Sequence, residues 1–281
     1  MAENEDILVS VRNGVGIVTL NRPKAINSLN DVMVEGLQKA LTTWENDDSV
    51  GAVLLTGAGE RGLCAGGDVV ALYHSAKADG AYARKFWWDE YLLNAYIGRY
   101  PKPYIALMDG IVMGGGVGVA AHADVRVVTD KTKMGMPEVG IGFIPDVGGT
   151  YLLSRTPGSL GLHAALTGAP FSGPDAIALG FADHFVPHEQ IQDFAEAVVN
   201  DGHQDALNSY AQEPPPSDLL AQRDWIDTCY AGNTVADIVA DLRRQETERA
   251  DAAADLIATR SPIALAVTLT AVRRAAHLQS L

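Results

Sequence analysis

The chain of 281 residues carries only two cysteines, Cys64 and Cys229. Two isolated cysteines cannot build a disulfide framework or a CxxC metal site, so no structural zinc is implied and a reducing compartment is expected. Positive charge is also scarce: 21 Lys and Arg stand against 35 Asp and Glu, a formal net charge of −14. No stripe of Lys or Arg stands out that could neutralise a row of phosphates, which excludes nucleic acid as an expected partner. No apolar run approaches the roughly 20 residues of a membrane span, and the opening MAENEDILVS has neither a basic nor an apolar leader region. A soluble cytoplasmic protein is expected. Internal repeats and low-complexity tracts are lacking, and Pro214-Pro215-Pro216 is the one linker-like stretch. What the chain has in quantity is apolar side chains, 47% of all residues, enough to fill a sizeable core.

These apolar residues alternate between two periods. Ile7 to Arg12 and Val15 to Leu20 flank Asn13-Gly14, a pair suited to the positive φ angles of a type I′ turn, and predict a hairpin. Met33, Leu37, Ala40, Leu41 and Trp44 form one helical face behind an Asn30-Asp31 cap. Strands are expected at Gly51 to Thr56, Tyr104 to Met108 and Val125 to Thr129. Helices are expected after Asp68, over Ala81 to Arg99, after Gly114 and from Gly149 to Ser154. Alternating strands and helices indicate an α/β domain. From about Phe194 the strand signal fades, and segments such as Val235 to Leu256 read as helices.

Two glycine-rich elements, Cys64-Ala65-Gly66-Gly67-Asp68 and Met113-Gly114-Gly115-Gly116-Val117-Gly118, each stand just before a predicted helix. Backbone N–H groups there lack intrahelical partners and suit an oxygen that gains negative charge, as in acyl transfer. Tight turns and close helix packing explain the same glycines without chemistry. Neither element has the P-loop lysine. Farther on, Met136 to Gly149 places Glu138 and Asp146 eight residues apart among apolar, Gly and Pro residues, a setting that raises carboxyl pKa values and suits acid–base work. Asp146 read alone is a plain helix N-cap, Glu138 an ion-pair partner for Arg126 or Arg155, and Glu90 a solvated charge on a helix face. The histidines share no ligand spacing, no GxSxG elbow is present, and Cys64 reads as a small buried turn residue rather than a nucleophile.

Taken in order, Asn21-Arg22-Pro23-Lys24-Ala25-Ile26-Asn27, Leu63 to Asp68, Met113 to Gly118, Met136 to Gly149 and Gly180-Phe181-Ala182 resemble the crotonase superfamily. The resemblance implies a spiral of ββα units over residues 1–193, an acyl-CoA-binding core, followed by a mainly helical C-terminal region over 194–281. It also implies an acyl-CoA thioester held by the Gly67 and Gly115 N–H groups as an oxyanion hole. Hydratases of the superfamily place a glutamate in the helix after the triple glycine, where this chain has Gly118; their second glutamate matches Glu138. With Asp146 after Ile144-Pro145 and the Phe86-Trp87-Trp88-Asp89-Glu90-Tyr91 stretch, the pattern is most similar to the 3-hydroxyisobutyryl-CoA hydrolases of valine breakdown. Those continue past the position matching Leu281, which suggests a truncated C-terminus.

The resemblance implies that Glu138 attacks as a nucleophile or activates the attacking water. Asp146 orients that water or the substrate β-hydroxyl and protonates the leaving thiolate, and Glu90 helps to hold the substrate. Lys24, Ala65, Gly67 and Asp68 are expected along the CoA moiety, with no metal and no cofactor beyond the CoA of the substrate. A homo-oligomer, trimer or hexamer, is the family expectation. A hydratase or isomerase, or a non-catalytic acyl-CoA-binding member, are the alternatives.

Overall fold

The computed structural model describes residues 6–281; residues 1–5, on which the reading of the chain's opening partly rests, lie outside the described residues. The predicted hairpin forms from β1 (Ile7–Arg12) and β2 (Val15–Leu20), paired antiparallel in the register Ile7↔Leu20. Its turn is tight because Asn13 and Gly14 both take positive φ, +49° and +77°. Helix α1 (Asp31–Glu45) follows, its first turn capped by Asn30 Oδ1, which accepts from Met33 N at 3.0 Å. The buried face of α1 is Met33, Val34, Leu37, Ala40, Leu41 and Trp44, the predicted stripe widened by one residue.

The chain then repeats one pattern: a strand in a large sheet, a short strand in a small sheet, a helix. The first turn is β3 (Ala52–Gly57), the segment 62–64 and α2 (Val69–Lys77), after which α3 (Ala81–Ile97) is interposed. The second is β4 (Tyr104–Met108), β5 (Ile111–Met113) and α4 (Gly115–Ala120). The third is β6 (Val125–Val128), β7 (Lys133–Gly135) and α5 (Gly149–Leu153). Next come α6 (Leu160–Thr167), β8 (Phe171–Ser172), α7 (Gly173–Ala178) and β9 (His184–Phe185). The large sheet has the order β1-β2-β3-β4-β6-β9, parallel from β2 onward, and the small one β5-β7-β8. This is the expected spiral of ββα units. Its small sheet was not read from the sequence, because strands of two or three residues are too short to display a period of two.

Two apolar clusters hold the layers. One face of the large sheet and the helices α1, α3, α4 and α6 enclose Val18, Leu55, Met108, Leu166 and their neighbours. The other face carries Leu54, Ile105, Leu107 and Val127, which α8 (Ile191–Asp201) and α9 (His203–Tyr210) cover with Phe194, Val198 and Leu207. Helix α8 thus runs across the division expected between 193 and 194 and belongs to the sheet's outer layer. The remainder is helical: α10 (Asp218–Ala221), α11 (Arg223–Cys229), α12 (Val235–Arg244), α13 (Glu248–Ala258) and α14 (Pro262–Ala275). Helices α12 and α13 divide the predicted helical segment where Glu246 turns to a positive φ of +52°. Among the described residues, no single helix is long and apolar enough to cross a membrane.

Candidate active site

The two glycine-rich elements lie side by side because the small sheet forces them to. Cys64 N donates to Ile111 O at 3.0 Å and Met113 N to Cys64 O at 2.9 Å, so the segment 62–64 and β5 advance in register. Both then deliver a backbone N–H to one place: a Cβ added to Gly115 would stand 3.3 Å from Gly67 N. Gly115 opens α4, where an N–H has no intrahelical acceptor. Neither N–H is taken up by another group among the described residues. Gly114 ahead of it holds φ +47° and ψ −115°, a conformation closed to residues with a side chain. Two convergent free donors are what a developing oxyanion requires.

Three carboxyl groups surround this pair. Glu90 comes from α3 and is 2% exposed, which corrects the solvated helix-face reading; its Oε1 lies 2.6 Å from where a Cβ on Gly115 would be. Glu138 begins the 3₁₀ turn Glu138–Ile141, is 7% exposed, and puts Oε1 2.8 Å from a Cβ on Gly114. Bare Cα atoms at 114 and 115 therefore let two acids approach the two N–H groups. Asp146 sits half-buried in the loop before α5, and its Oδ2 accepts from the Tyr91 hydroxyl at 2.7 Å. It is not the helix cap: Gly148 occupies that position. Nor does Glu138 pair with an arginine, because Arg126 binds Asp183 and Arg155 donates to the Tyr151, Ala275 and Leu278 carbonyls.

Burial and mutual repulsion set the charges. Desolvation first, then Asp146 and Glu138, push the Glu90 carboxyl well above its ordinary range. Desolvation, with a smaller push from Asp146, raises Glu138 to about 8. Asp146 is raised by burial, while the hydrogen bond from Tyr91 pulls it back. Glu90 Oε1 and Glu138 Oε2 have no hydrogen-bond partner among the described residues, so both acids hold unused capacity for a substrate. Three acids of raised proton affinity against two aimed N–H groups can move protons at a polarised carbonyl. Cys64 takes no such part, since burial raises its thiol to about 12.

The remaining expected CoA contacts are less gathered. Asp68 caps α2, accepting from Val70 N and Ala71 N, and pairs with Arg22 at 2.9 Å, so its carboxylate is already engaged. Ala65 N donates to Ile26 O at 2.9 Å, which fixes the approach of the 65–68 loop. Lys24 is exposed on the 3₁₀ turn Pro23–Ala25, beside Arg22 and Asp6 in an open depression of about 470 Å³. A depression of about 550 Å³ between α1 and α3, lined by Val34, Glu35, Lys85 and Asp89, contains none of the carboxyls just described.

Sequence reasoning missed Tyr91 and Asn94. Tyr91 follows Glu90 directly, and the aromatic run Trp87 to Tyr91 was the available signal. Trp87 stacks on Phe143, with centroids 5.2 Å apart, and ties α3 to the loop that carries Asp146. Asn94, one turn beyond Glu90, is 2% exposed, and neither amide atom has a partner among the described residues. It lies on Gly118: a Cβ there would meet Asn94 Nδ2 at 2.9 Å and Val147 Cβ at 2.6 Å. Gly118 thus leaves neither an acid nor the room for one.

Known proteins share the sequence pattern and the fold. Residues 15–281 match the family described as Enoyl-CoA hydratase/isomerase. The mitochondrial 3-hydroxyisobutyryl-CoA hydrolase of Danio rerio is 38% identical over 97% of this chain and 74% of its own length. The human enzyme of that name is 36% identical over 94% of this chain and 72% of its length. Among solved structures, one titled a carnitinyl-CoA dehydratase from Mycobacterium thermoresistibile is 73% identical, with a TM-score of 0.98 over 99% of this chain and 82% of that one. Another, titled an enoyl-CoA hydratase from Rhodobacter sphaeroides, is 40% identical, with a TM-score of 0.90 over 96% of this chain and 79% of that one. Sequence, spiral fold and paired backbone donors lead to one conclusion: the chain belongs to the enoyl-CoA hydratase/isomerase, or crotonase, family.

Proposed function

We propose that the protein hydrolyses a short branched β-hydroxyacyl-CoA thioester, of the 3-hydroxyisobutyryl-CoA type, to the free acid and CoA. The observation that carries the reading is Gly118. The position that holds an acid in a hydratase is bare here and packed against Asn94 and Val147, while Glu138 and Asp146 are both present. The relatives named 3-hydroxyisobutyryl-CoA hydrolase support the same choice. In this reading the Gly67 and Gly115 N–H groups polarise the thioester carbonyl. Glu138, once ionised, attacks the carbonyl carbon or takes a proton from the water that does. The C–S bond then breaks and protonated Asp146 gives its proton to the departing thiolate; Asp146 regains it from the attacking water, directly as that water hydrolyses the acyl–Glu138 anhydride, or by way of Glu138 where water attacked the thioester itself. Glu90, protonated by its burial, donates a hydrogen bond to the bound acyl group.

The titles of the two solved structures favour a hydratase or dehydratase as the second reading. The two are separated by following thiol release and loss of the enoyl chromophore with 3-hydroxyisobutyryl-CoA, 3-hydroxypropionyl-CoA and crotonyl-CoA. Hydrolysis predicts free CoA from the hydroxyacyl substrates, abolished by Glu138→Gln and by Asp146→Asn. Hydration of crotonyl-CoA without thiol release refutes it, and CoA binding with no turnover of any substrate makes the protein a non-catalytic binder. We also infer a trimer or hexamer, to be checked by light scattering. Two buried free thiols, Cys64 and Cys229, support a reducing compartment, with the cytoplasm our reading although the animal relatives are named mitochondrial.

A further inference from the structure

Asp146 stands at the head of an unusual turn. Gly149 N donates to Asp146 O, and the two residues between them, Val147 and Gly148, both have positive φ, +45° and +77°. Positive φ at both central positions is the mark of a type I′ turn, which favours Asn, Asp or Gly at its first central position and disfavours a β-branched residue. Val147 is nonetheless there, 3% exposed, and nothing in its own preference keeps it left-handed. Two neighbours impose the conformation. Gly118 leaves the space that the Val147 side chain fills, since a Cβ on Gly118 would stand 2.6 Å from Val147 Cβ. On the other side His122 Nε2 lies 2.8 Å from Val147 O. A carbonyl only accepts, so Nε2 carries the proton and donates. The imidazole also lies against Gly148, where a Cβ would come within 2.5 Å of Nε2 and within 2.4 Å of Leu281 Cδ1.

We infer that His122 is a positioning residue: through its hydrogen bond to the Val147 carbonyl it holds the strained turn that points the Asp146 carboxylate at the Tyr91 hydroxyl and the reacting centre. The chain of contact is His122 Nε2 to Val147 O at 2.8 Å, Val147 to Asp146 by one peptide, and Asp146 Oδ2 to Tyr91 OH at 2.7 Å. Without the donor, the valine relaxes toward negative φ and the aspartate leaves the phenol. His122 touches no reacting atom and transfers no proton.

The inference rests on the hydrolase reading only for its kinetic assay. His122→Phe keeps the ring and removes the donor, whereas His122→Gln keeps an N–H at similar reach. With 3-hydroxyisobutyryl-CoA, His122→Phe should lower kcat by about tenfold or more and leave KM within about twofold, and His122→Gln should restore most of the rate. Independently of any substrate, the Asp146 carboxyl is titrated by carbon-13 NMR. His122→Phe should raise its midpoint as Tyr91→Phe does, because both lose the phenol hydrogen bond, and His122→Gln should leave it in place. Should His122→Phe fail to fold, His122→Leu removes the donor with less bulk and is read in the same way; Val147→Gly, comfortable at positive φ and no longer in need of the donor, should leave the Asp146 midpoint in place and, combined with His122→Phe, should restore it. An Asp146 titration unchanged once the donor is removed, by His122→Phe or His122→Leu, overturns the inference, as does a His122→Gln variant as impaired as His122→Phe. Absence of thiol release in the wild type refutes the hydrolase reading alone, and the NMR comparison then decides the role of His122.

Discussion

Glu138 must be ionised to attack or to act as a base, yet the site holds its carboxyl at about 8, chiefly by burial and secondarily by Asp146. The proton is therefore a gate on the rate. For a single group at that value the ionised fraction is about one-tenth at pH 7 and about nine-tenths at pH 9. The expected kcat/KM for hydroxyacyl-CoA hydrolysis accordingly rises about tenfold over that interval, a span in which ordinary carboxylates do not titrate. Initial rates are followed by the loss of thioester absorbance, which avoids a thiol dye whose own chemistry depends on pH. The cause is tested separately in Asp146→Asn by carbon-13 NMR of the Glu138 carboxyl. Removing the neighbouring charge should lower the Glu138 midpoint, but not to its ordinary value, because the desolvation remains. A rate flat between pH 7 and pH 9, or a Glu138 midpoint in the usual carboxylate range, refutes the reasoning and means that the carboxyl is hydrated.

The same burial predicts a trade between stability and function. Glu138 binds its proton more tightly folded than unfolded, so stability is full below about pH 4.5 and falls as pH rises toward 8. At pH 7 the penalty is roughly 3.5 kcal/mol, from about 2.5 pH units at 1.4 kcal/mol each, and Glu138→Gln should melt higher than the wild type at pH 8 while losing turnover. Gly118→Ala forces a Cβ against Val147 and Asn94 and should cost about 1–3 kcal/mol in denaturant unfolding; Gly118→Glu should not create a hydratase for the same reason. Gly115→Ala drives the Glu90 carboxyl out of place, and should reduce kcat/KM by about a hundredfold with little change in circular dichroism. Tyr91→Phe removes the hydrogen bond that lowers Asp146, and its carboxyl should titrate at a higher pH than in the wild type.

The chain's own pattern determined a good deal. The Asn13-Gly14 turn, the stripe of α1 and the continuous apolar run of β4 are local decisions, made by φ preferences and by periodicity within a few residues. The order of glycine and acidic motifs likewise pointed to Gly67, Gly115, Glu138 and Asp146. Other features were illegible because they depend on residues far apart. The burial of Glu90 arises where α3 crosses α4 and meets a glycine 25 positions later, so a charge that looks solvated on its own helix is desolvated by another. Tyr91 finds Asp146 across 55 residues, and Val147 keeps a left-handed backbone only because Gly118 and His122 close around it. Sequence fixes which residues can donate, accept or turn. Which of them lose their water, and with it their ordinary proton affinity, is settled when the spiral brings its turns together.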